Sequence, residues 1–125
     1  MKYLILIHHN RGAREQFASS TPTMQAEGLA AYQKLNADLA ASGEYVAGEA
    51  LDADTTATIV RGDHGSFVQT DGPFAETKEM LAGFYLVDVA SRERAVAIAQ
   101  RIPEVAAGAA AIEVRPVMTY DWPEQ

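Results

Sequence analysis

The stretch Lys2–His8, KYLILIH, is a nearly continuous apolar run close to the N-terminus. A run this apolar and this short predicts a β-strand buried on both faces, because it is too short for a membrane span or the apolar core of a signal peptide. Successive side chains of a strand alternate between its two sides, so the fold has to cover two apolar surfaces of this strand. These surfaces are formed by Tyr3, Ile5 and Ile7 on one side and by Leu4 and Leu6 on the other.

Length and composition restrict the class of protein. A chain of 125 residues fits one domain, residues 1–125, with a core that needs no disulfide or metal. It contains no cysteine, which excludes disulfides, thiolate catalysis and cysteine-ligated metals and is compatible with a cytoplasmic location. The net charge of −7 predicts that the protein binds neither nucleic acid nor anionic membranes.

The remaining chain contains signals for two helices and five further strands. Thr21 and Pro22 predict the start of a helix that ends at Gly43, and Ser91 predicts a second helix that ends at Pro103. The predicted strands are 45–51, 56–62, 66–70, 83–89 and 111–117. The residues expected on the core face of the first helix are Met24, Leu29, Tyr32, Leu35 and Leu39.

This order of elements predicts an α+β fold: a ferredoxin-like antiparallel sheet with two helices on one face and an extra β-hairpin that turns at 63–65. Two helices can cover only one face of such a sheet. We therefore expect a second copy of the chain to cover the other face in a homodimer.

Charged residues are concentrated in the stretch Thr70–Leu86, TDGPFAETKEMLAGFYL, directly before an apolar strand. The triplet Asp-Gly-Pro at 71–73 predicts a turn, because each of the three residues favours one of the backbone conformations that a turn requires. In an extended backbone Glu76 and Lys78 lie on the same side. They form either a solvated charge pair of small energetic value or part of a reactive site.

The histidines offer one candidate proton acceptor. His8 should lie on the same side of the strand as Leu4 and Leu6, where burial would favour a neutral imidazole; the alternative is a structural histidine bonded to backbone. His9 should point the other way and be exposed, and His64 should lie in a turn. Adjacent strand residues cannot converge on one ion without a bulge, so no metal site is predicted.

Acidic residues on strands offer a second candidate. Glu49 lies on a short predicted strand, and Glu113 and Arg115 alternate along one side of the last strand. If Glu49 is buried, it needs a cationic partner such as Arg61, Lys78 or Arg115, or else it must be protonated. Such a pair would either fix the strand register or line a polar pocket.

Segments from the whole length of the chain carry a family resemblance. They are MKYLILI at the N-terminus, GEAL at Gly48–Leu51, TDGPFAETK at Thr70–Lys78, the AGFYLVDV that follows and the closing IEVRPV. In these segments the chain resembles the DGPF subgroup of the YCII-related domain family. The resemblance implies a ferredoxin-like fold of the dimeric α+β barrel type with a polar cleft, and in most members an uncharacterised function. It also implies an extracytoplasmic-function sigma factor as a candidate partner, since such members are often encoded beside one.

Some members of the wider family resemble enzymes in which a histidine and an aspartate are the suggested acid–base pair. The predicted first helix, 24–41, contains no histidine, and Tyr32 is the titratable ring at its middle. The pair therefore does not carry over to this chain. The DGPF motif does carry over, at Asp71, Gly72, Pro73, Phe74, Glu76 and Lys78.

Two classes of function follow from these observations. The first is a small acid–base enzyme acting on a small cyclic or aromatic substrate without a cofactor. The second is a non-catalytic ligand-binding or regulatory accessory protein associated with a sigma factor. For the enzyme, the candidate catalytic residues are Asp71, Glu76 and His8, and the candidate substrate-binding residues are Lys78, Phe74, Tyr85, Glu49 and Tyr32.

Overall fold

The computed structural model describes residues 1–74 and 78–119, except for the side chains of Arg14 and Gln16. In chain order the elements are β1 (Lys2–Asn10), α1 (Ala13–Ser19), α2 (Pro22–Ser42), β2 (Tyr45–Ala50), a 3-10 helix (Asp54–Thr56), β3 (Thr58–Asp63), β4 (Ser66–Asp71), β5 (Glu79–Asp88), α3 (Arg92–Ala99), α4 (Pro103–Ala106) and β6 (Ala110–Pro116).

Four of the strands form one antiparallel sheet in the order β2-β5-β1-β6, which places β1 and β5 in the centre and β2 and β6 at the edges. This order is compatible with a ferredoxin-like fold, and the predicted α+β class is confirmed. The strands β3 and β4 pair with each other in a separate two-stranded sheet, which we name the ribbon.

The main sheet has two unequal faces. On the face we name the helix face, residues such as Tyr3, Ile5 and Val87 are buried in one cluster with α2 and α3. On the opposite face, which we name the open face, the apolar residues are only partly buried. The apolar residues of the open face are Leu4, Leu6, Phe84 and Leu86, which stand opposite one another in the β1–β5 register. The helices thus cover one face of the sheet, as predicted.

The limits of α2 follow from its end residues. The Thr21 hydroxyl accepts a hydrogen bond from the Met24 backbone N–H at 3.2 Å, and Gly43 ends the helix with a φ of 77°. The sequence predicted both ends correctly. The prediction that Met24 and Leu29 face the core was wrong, since they are 59% and 60% exposed. The side of α2 that faces inward, at helical spacing, consists of positions 25, 28, 32, 35 and 39. Met24 and Leu29 each lie one position away from this series.

Two short helices were not predicted. The segment after β1 was interpreted as a break, but residues 13–19 form α1. Pro103 was expected only to end a helix, whereas it also begins α4, because the first helical position tolerates a residue without an N–H group. The cap at Ser91 was predicted correctly: its hydroxyl accepts a hydrogen bond from the Arg94 N–H at 3.1 Å.

A bulge separates the ends of β1 and β5. Ile7 pairs with Gly83, but the next residue, His8, pairs with Leu81, so Ala82 is the extra residue on β5. The alternation along β1 is unaffected, which places His8 on the open face and His9 on the helix face. The two adjacent histidines therefore belong to different surfaces of the molecule.

No helix in the described part of the chain is long and apolar enough to cross a membrane.

An ion pair fastens the start of α3 to the residue that precedes β2. Two nitrogens of Arg94 donate to the two carboxylate oxygens of Glu44 at 2.8 and 2.9 Å, and the Ser42 hydroxyl donates to the same carboxylate at 2.7 Å. These hydrogen bonds, that of Arg94 foremost, lower the pKa of Glu44 from 4.5 to about 2.

The substitution Glu44→Gln should lower the stability of the fold in a pH-dependent way. Because the folded state holds the pKa of Glu44 below its unfolded value, the ionised carboxylate stabilises the fold above about pH 4.5, and this contribution is lost as the pH falls towards 2. We expect a loss of at most about 1 kcal/mol at pH 7, because the pair lies at the surface. Urea denaturation across this pH range measures it, and a difference from the parent that persists unchanged at pH 2 would contradict the assignment.

Candidate functional site

Three polar side chains from three elements meet at one end of the helix face. The Tyr32 hydroxyl of α2 donates to Glu104 Oε2 of α4 at 2.5 Å, and His9 Nε2 of β1 lies 3.0 Å from the same oxygen. The side chains of His9 and Glu104 are 19% and 22% exposed, so the cluster is partly shielded and partly accessible to solvent. We name these three residues the Glu104 cluster.

The hydrogen bonds of this cluster define the role of each group. A carboxylate oxygen accepts, so His9 Nε2 carries the proton when the imidazole is neutral, and Nδ1 then holds the lone pair. That Nδ1 atom is buried and has no hydrogen-bond partner in the described part of the chain. Burial and then the bond to Glu104 raise the pKa of Tyr32 far above its ordinary value of 10.0, so its hydroxyl stays protonated. Glu104 is thus an acceptor held by two donors.

Aromatic rings and open space border the cluster. The Tyr85 hydroxyl donates to Asn36 Oδ1 at 2.5 Å, and the Tyr85 ring meets the ring of Tyr45 edge to face with centroids 6.4 Å apart. Burial foremost, and to a smaller extent the negative charge of Glu104, raises the pKa of both Tyr32 and Tyr85. One turn before Tyr32, Gly28 is partly buried, and a Cβ atom there would meet no atom within 4 Å. Gly28 therefore faces open space one helical turn from the cluster.

Sequence reasoning found only part of this site. Of the predicted substrate-binding residues, Tyr32 belongs to the Glu104 cluster and Tyr85 borders it; Glu104 was not considered. His9 was expected to be exposed, which was wrong, because α4 packs over its ring through Glu104. No local sequence signal links Glu104 to His9, 95 positions away, or to Tyr32, 72 positions away. The sequence did mark His9, as a polar residue at the end of an apolar strand.

Two other predicted site residues, His8 and Phe74, lie at a second location. A pocket of about 680 Å³ lies between the end of the main sheet and the ribbon. His8 and Leu81 line it from the sheet, and Phe74 lines it from the DGPF turn. Asp54 also lines it and is held by Arg11 at 2.9 Å. We name this cavity the turn pocket.

His8 lies on the predicted side of β1, where its neighbour is an acidic residue that was not predicted. Its Nε2 atom lies 3.6 Å from Glu113 Oε1, and Glu113 in turn pairs with Arg115. The distance is too long for a hydrogen bond, and the two side chains are 29% and 38% exposed. This arrangement orients His8 less strictly than the Glu104 cluster orients His9.

Phe74 and Tyr85, two of the predicted substrate-binding residues, lie in different parts of the molecule. Phe74 is 76% exposed, and the guanidinium of Arg61 lies 5.5 Å from the centre of its ring, a cation–π contact. Tyr85 is 6% exposed and belongs to the helix face. Alternation along β5 separates it from the open face, so the two rings cannot line one cavity in this chain.

The predicted charged residues do not converge. Asp71 and Lys78 are exposed, and neither side chain bonds to another residue in the described ranges. Glu49 is also exposed and makes no such bond, so the condition under which it would need a cationic partner or a proton is not met: β2 is an edge strand, and Glu49 lies on the open face. Glu76 lies outside the described residues. Within residues 1–74 and 78–119, no three side chains of His, Asp or Glu converge as metal ligands would.

Comparison with known proteins gives a consistent result. The model of the YCII-related domain family matches residues 1–121. An uncharacterized protein of Rhizobium meliloti (strain 1021) is 30% identical over 120 residues, which cover 96% of this chain and 94% of that protein.

The DGPF turn can be tested through the backbone of Gly72, which has a φ of 96° as the turn prediction requires. The substitution Gly72→Ala should destabilise the fold by about 1 kcal/mol, because a Cβ atom disfavours positive φ. No atom lies within 4 Å of the added methyl group, so the effect isolates the backbone. Gly12→Ala is the matched control: its site is equally open but has a φ of −80°, and the expected loss is a few tenths of a kcal/mol. Equal melting temperatures for both variants would contradict the turn geometry.

The Glu104 cluster can be tested through the alkaline stability of Tyr32→Phe. Since folding raises the pKa of Tyr32, its contribution to stability is complete below pH 10 and is lost as the pH rises and the unfolded chain ionises. Above pH 10, the free energy of unfolding of the parent should therefore fall by up to about 1.4 kcal/mol per pH unit more than that of the variant. Urea denaturation from pH 8 to pH 11 measures this difference. Parallel losses in both proteins would show that Tyr32 titrates normally.

Proposed function

We propose, from the premise that the chain belongs to the YCII-related domain family, that the protein is a small acid–base enzyme in which Glu104 accepts the proton. One observation carries the proposal: two hydrogen-bond donors, His9 and Tyr32, meet on a single oxygen of a partly accessible carboxylate. A general base needs a fixed orientation and a free lone pair, and this carboxylate has both.

The division of the two carboxylate oxygens supports this role. Oε2 holds both hydrogen bonds, while Oε1 is bonded to no residue in the described part of the chain. Oε1 is therefore the atom that takes a proton from a bound molecule. The imidazole N–H of His9 and the hydroxyl of Tyr32 position Glu104 and stabilise its charge before the transfer. We assign to these two residues a positioning role.

The surroundings of the cluster favour a small substrate with a ring. The open space at Gly28 lies one helical turn from Tyr32, and the phenol of Tyr85 lies near enough for its pKa to respond to the charge of Glu104. Aromatic rings bind flat rings by stacking or edge contacts, and their hydroxyls can orient oxygen substituents. We infer a cyclic or aromatic substrate with a carbon- or oxygen-bound proton that Glu104 can remove.

The remaining sequence-based assignments stand as proposals beside this one. Asp71, Glu76 and His8 stay predictions as proton-transfer groups, and Lys78, Phe74 and Glu49 stay predictions as binding groups. Among the described residues the geometry favours Glu104, because its two contacts are within hydrogen-bond distance, whereas His8 lies 3.6 Å from its acidic neighbour.

We also propose the finer family features that the resemblance implies. They are membership of the DGPF subgroup, a homodimer of the dimeric α+β barrel type formed through the open face, and a location in the cytoplasm. The partly buried apolar side chains of the open face support the dimer.

The second candidate function is a ligand-binding accessory protein that works with an extracytoplasmic-function sigma factor. The observation that favours it is the turn pocket, whose volume of about 680 Å³ is in the usual range for small-molecule sites. In this case a small molecule binds without chemical change.

Proton exchange distinguishes the two functions even before the full reaction is identified. A panel of cyclic ketones and hydroxylated aromatic compounds is first screened for binding by thermal shift. Each binder is then incubated with the protein in D2O, and the loss of exchangeable carbon-bound protons is followed by NMR. We expect exchange with the parent and at least about a hundredfold slower exchange with Glu104→Gln, the usual size of a general-base effect.

Matched variants identify the site. Glu93→Gln removes an exposed carboxylate of α3 and should leave the exchange rate unchanged. His9→Asn and Tyr32→Phe should slow exchange less than Glu104→Gln does, because they only position the carboxylate. Loss of exchange in His8→Asn with normal exchange in Glu104→Gln would move the reaction to the turn pocket. Binding without any exchange would favour the accessory function.

A further inference from the structure

The hydrogen-bond donors of the Glu104 cluster and of its phenol neighbour are directed at acceptors of the protein itself. The Tyr32 hydroxyl donates to Glu104 Oε2 at 2.5 Å, and the Nε2–H group of neutral His9 donates to the same oxygen at 3.0 Å. The Tyr85 hydroxyl donates to Asn36 Oδ1 at 2.5 Å. Each of these three donors is therefore already used within the fold.

The polar groups that border these residues follow the same pattern. The Tyr45 hydroxyl makes a long hydrogen bond of 3.4 Å to the Gly48 carbonyl oxygen. On the inward side of α2, the amide nitrogen of Gln25 donates to the carbonyl oxygens of Phe17 and Ser20 at 3.0 and 3.4 Å. These donors, too, are turned towards the backbone and away from a ligand.

Two of the contacts stand side by side on α2. Tyr32 and Asn36 are four residues apart, so their side chains are neighbours on the surface of the helix. One of them ties α2 to Glu104 of α4, and the other ties it to Tyr85 of β5. One turn before Tyr32, Gly28 faces open space. The oxygens of the two phenols and of the carboxylate are therefore grouped beside a space that a ligand can enter.

We propose that this site selects cyclic ligands that donate hydrogen bonds, through an alcohol, phenol or amine group, and discriminates against ligands that only accept them, such as ketones. The inference rests on the proposed function and specifies its ligand class. With its donors used, the cluster offers a ligand lone pairs, namely those of Glu104 Oε1, Tyr32 Oη and Tyr85 Oη. A ligand O–H or N–H group finds an acceptor there, whereas a ligand carbonyl group leaves water without finding a donor.

Two further nitrogens agree with this accounting. His9 Nδ1 is buried without a partner in the described part of the chain, and in the neutral ring it is also a lone pair. Of the residues named above, Asn36 keeps an amide N–H group for which the structure shows no protein acceptor. Asn36 is exposed, so this group is hydrated at the surface.

The same accounting bears on the proton that Glu104 takes. Removal of a C–H proton next to a ketone places negative charge on the carbonyl oxygen, and this charge needs a hydrogen-bond donor. The donors that would serve are held by Glu104 and Asn36. A ligand O–H group instead donates directly to Glu104 Oε1 and needs no second donor. Hydroxylated compounds are therefore the members of the exchange panel that this inference favours.

A matched set of ligands with one ring tests the selection. Cyclohexanol donates and accepts, cyclohexanone only accepts, and methoxycyclohexane keeps the oxygen of the alcohol without its hydrogen. Binding of each to the protein is measured by ligand-observed NMR titration. We expect the alcohol to bind at least about tenfold more tightly than the ketone or the ether, because a site built from acceptors rejects a ligand without a donor.

The substitution Asn36→Leu should create affinity for the ketone. It removes the acceptor of the Tyr85 hydroxyl, which is then able to donate to a ligand, and the ketone should bind about three- to tenfold more tightly. Adding Tyr85→Phe to this variant should return ketone binding to the parent value. Gln33→Leu, at another exposed residue of α2, is the matched control and should leave it unchanged. Leucine favours helices, so both single variants should fold.

The substitution Glu104→Gln locates the selection. His9 and Tyr32 donate to the Oε2 position, which the amide oxygen can fill, so the amide nitrogen takes the place of Oε1 and offers a donor where the parent offers an acceptor. The preference for cyclohexanol over cyclohexanone should fall at least about tenfold. Glu93→Gln, which removes an exposed carboxylate of α3, is the control and should keep the preference of the parent.

The outcomes separate this inference from the function on which it rests. A parent that binds all three ligands equally, or binds none of them, would overturn the selection, while carbon-bound proton exchange that depends on Glu104 would still support the general base. A preference for the alcohol that neither Asn36→Leu nor Glu104→Gln alters would also overturn it. A preference that both variants reduce supports the inference, and it does so even if no binder exchanges protons, a result that would overturn the general base alone.

Discussion

The rest of the structure depends on the alternation of apolar side chains along β1, the strand at the centre of the sheet. β1 pairs with β5 on one side and β6 on the other, so both of its edges are used. One set of its side chains is buried beneath α2 and α3, where Ile5 is fully buried against residues such as Leu35 and Ile98. The other set receives no helix. The asymmetry between a closed helix face and an open face follows directly, since two helices of this length cover only one side of four strands.

The same alternation assigns the two adjacent histidines to different surroundings. His9 shares the side of Ile5 and Ile7 and reaches Glu104 beneath α4, while His8 shares the side of Leu4 and Leu6 and lines the turn pocket. A change of register by one residue would exchange them. The bulge at Ala82 prevents this, because the extra residue is absorbed on β5 and the side-chain order of β1 is preserved.

Features of the fold that depend on the local spacing of residues could be predicted from the sequence. The ends of α2, the cap at Ser91, the positive φ of Gly72 and the side on which His8 lies follow from turn chemistry or from period-two alternation. Contacts between distant segments could not be predicted in this way. The Glu104 cluster requires α4 to pack over the end of β1, and nothing near Glu104 in the sequence indicates this packing. Whether Glu49 is buried could not be decided from the sequence, because burial of a strand depends on which strands flank it.

The Glu104 cluster lies at the end of β1, outside the apolar cluster that includes Ile5, Leu35, Leu39 and Val87. In such a position an unpaired carboxylate is costly, because it loses hydration without gaining a partner. Glu104 avoids this cost by accepting hydrogen bonds from His9 and Tyr32 through one oxygen. A purely structural carboxylate would gain more by using both oxygens, as Glu44 does with Arg94 and Ser42. Glu104 differs from Glu44 in that both of its donors meet one oxygen, Oε2, and the general-base role proposed above uses the oxygen that is left, Oε1.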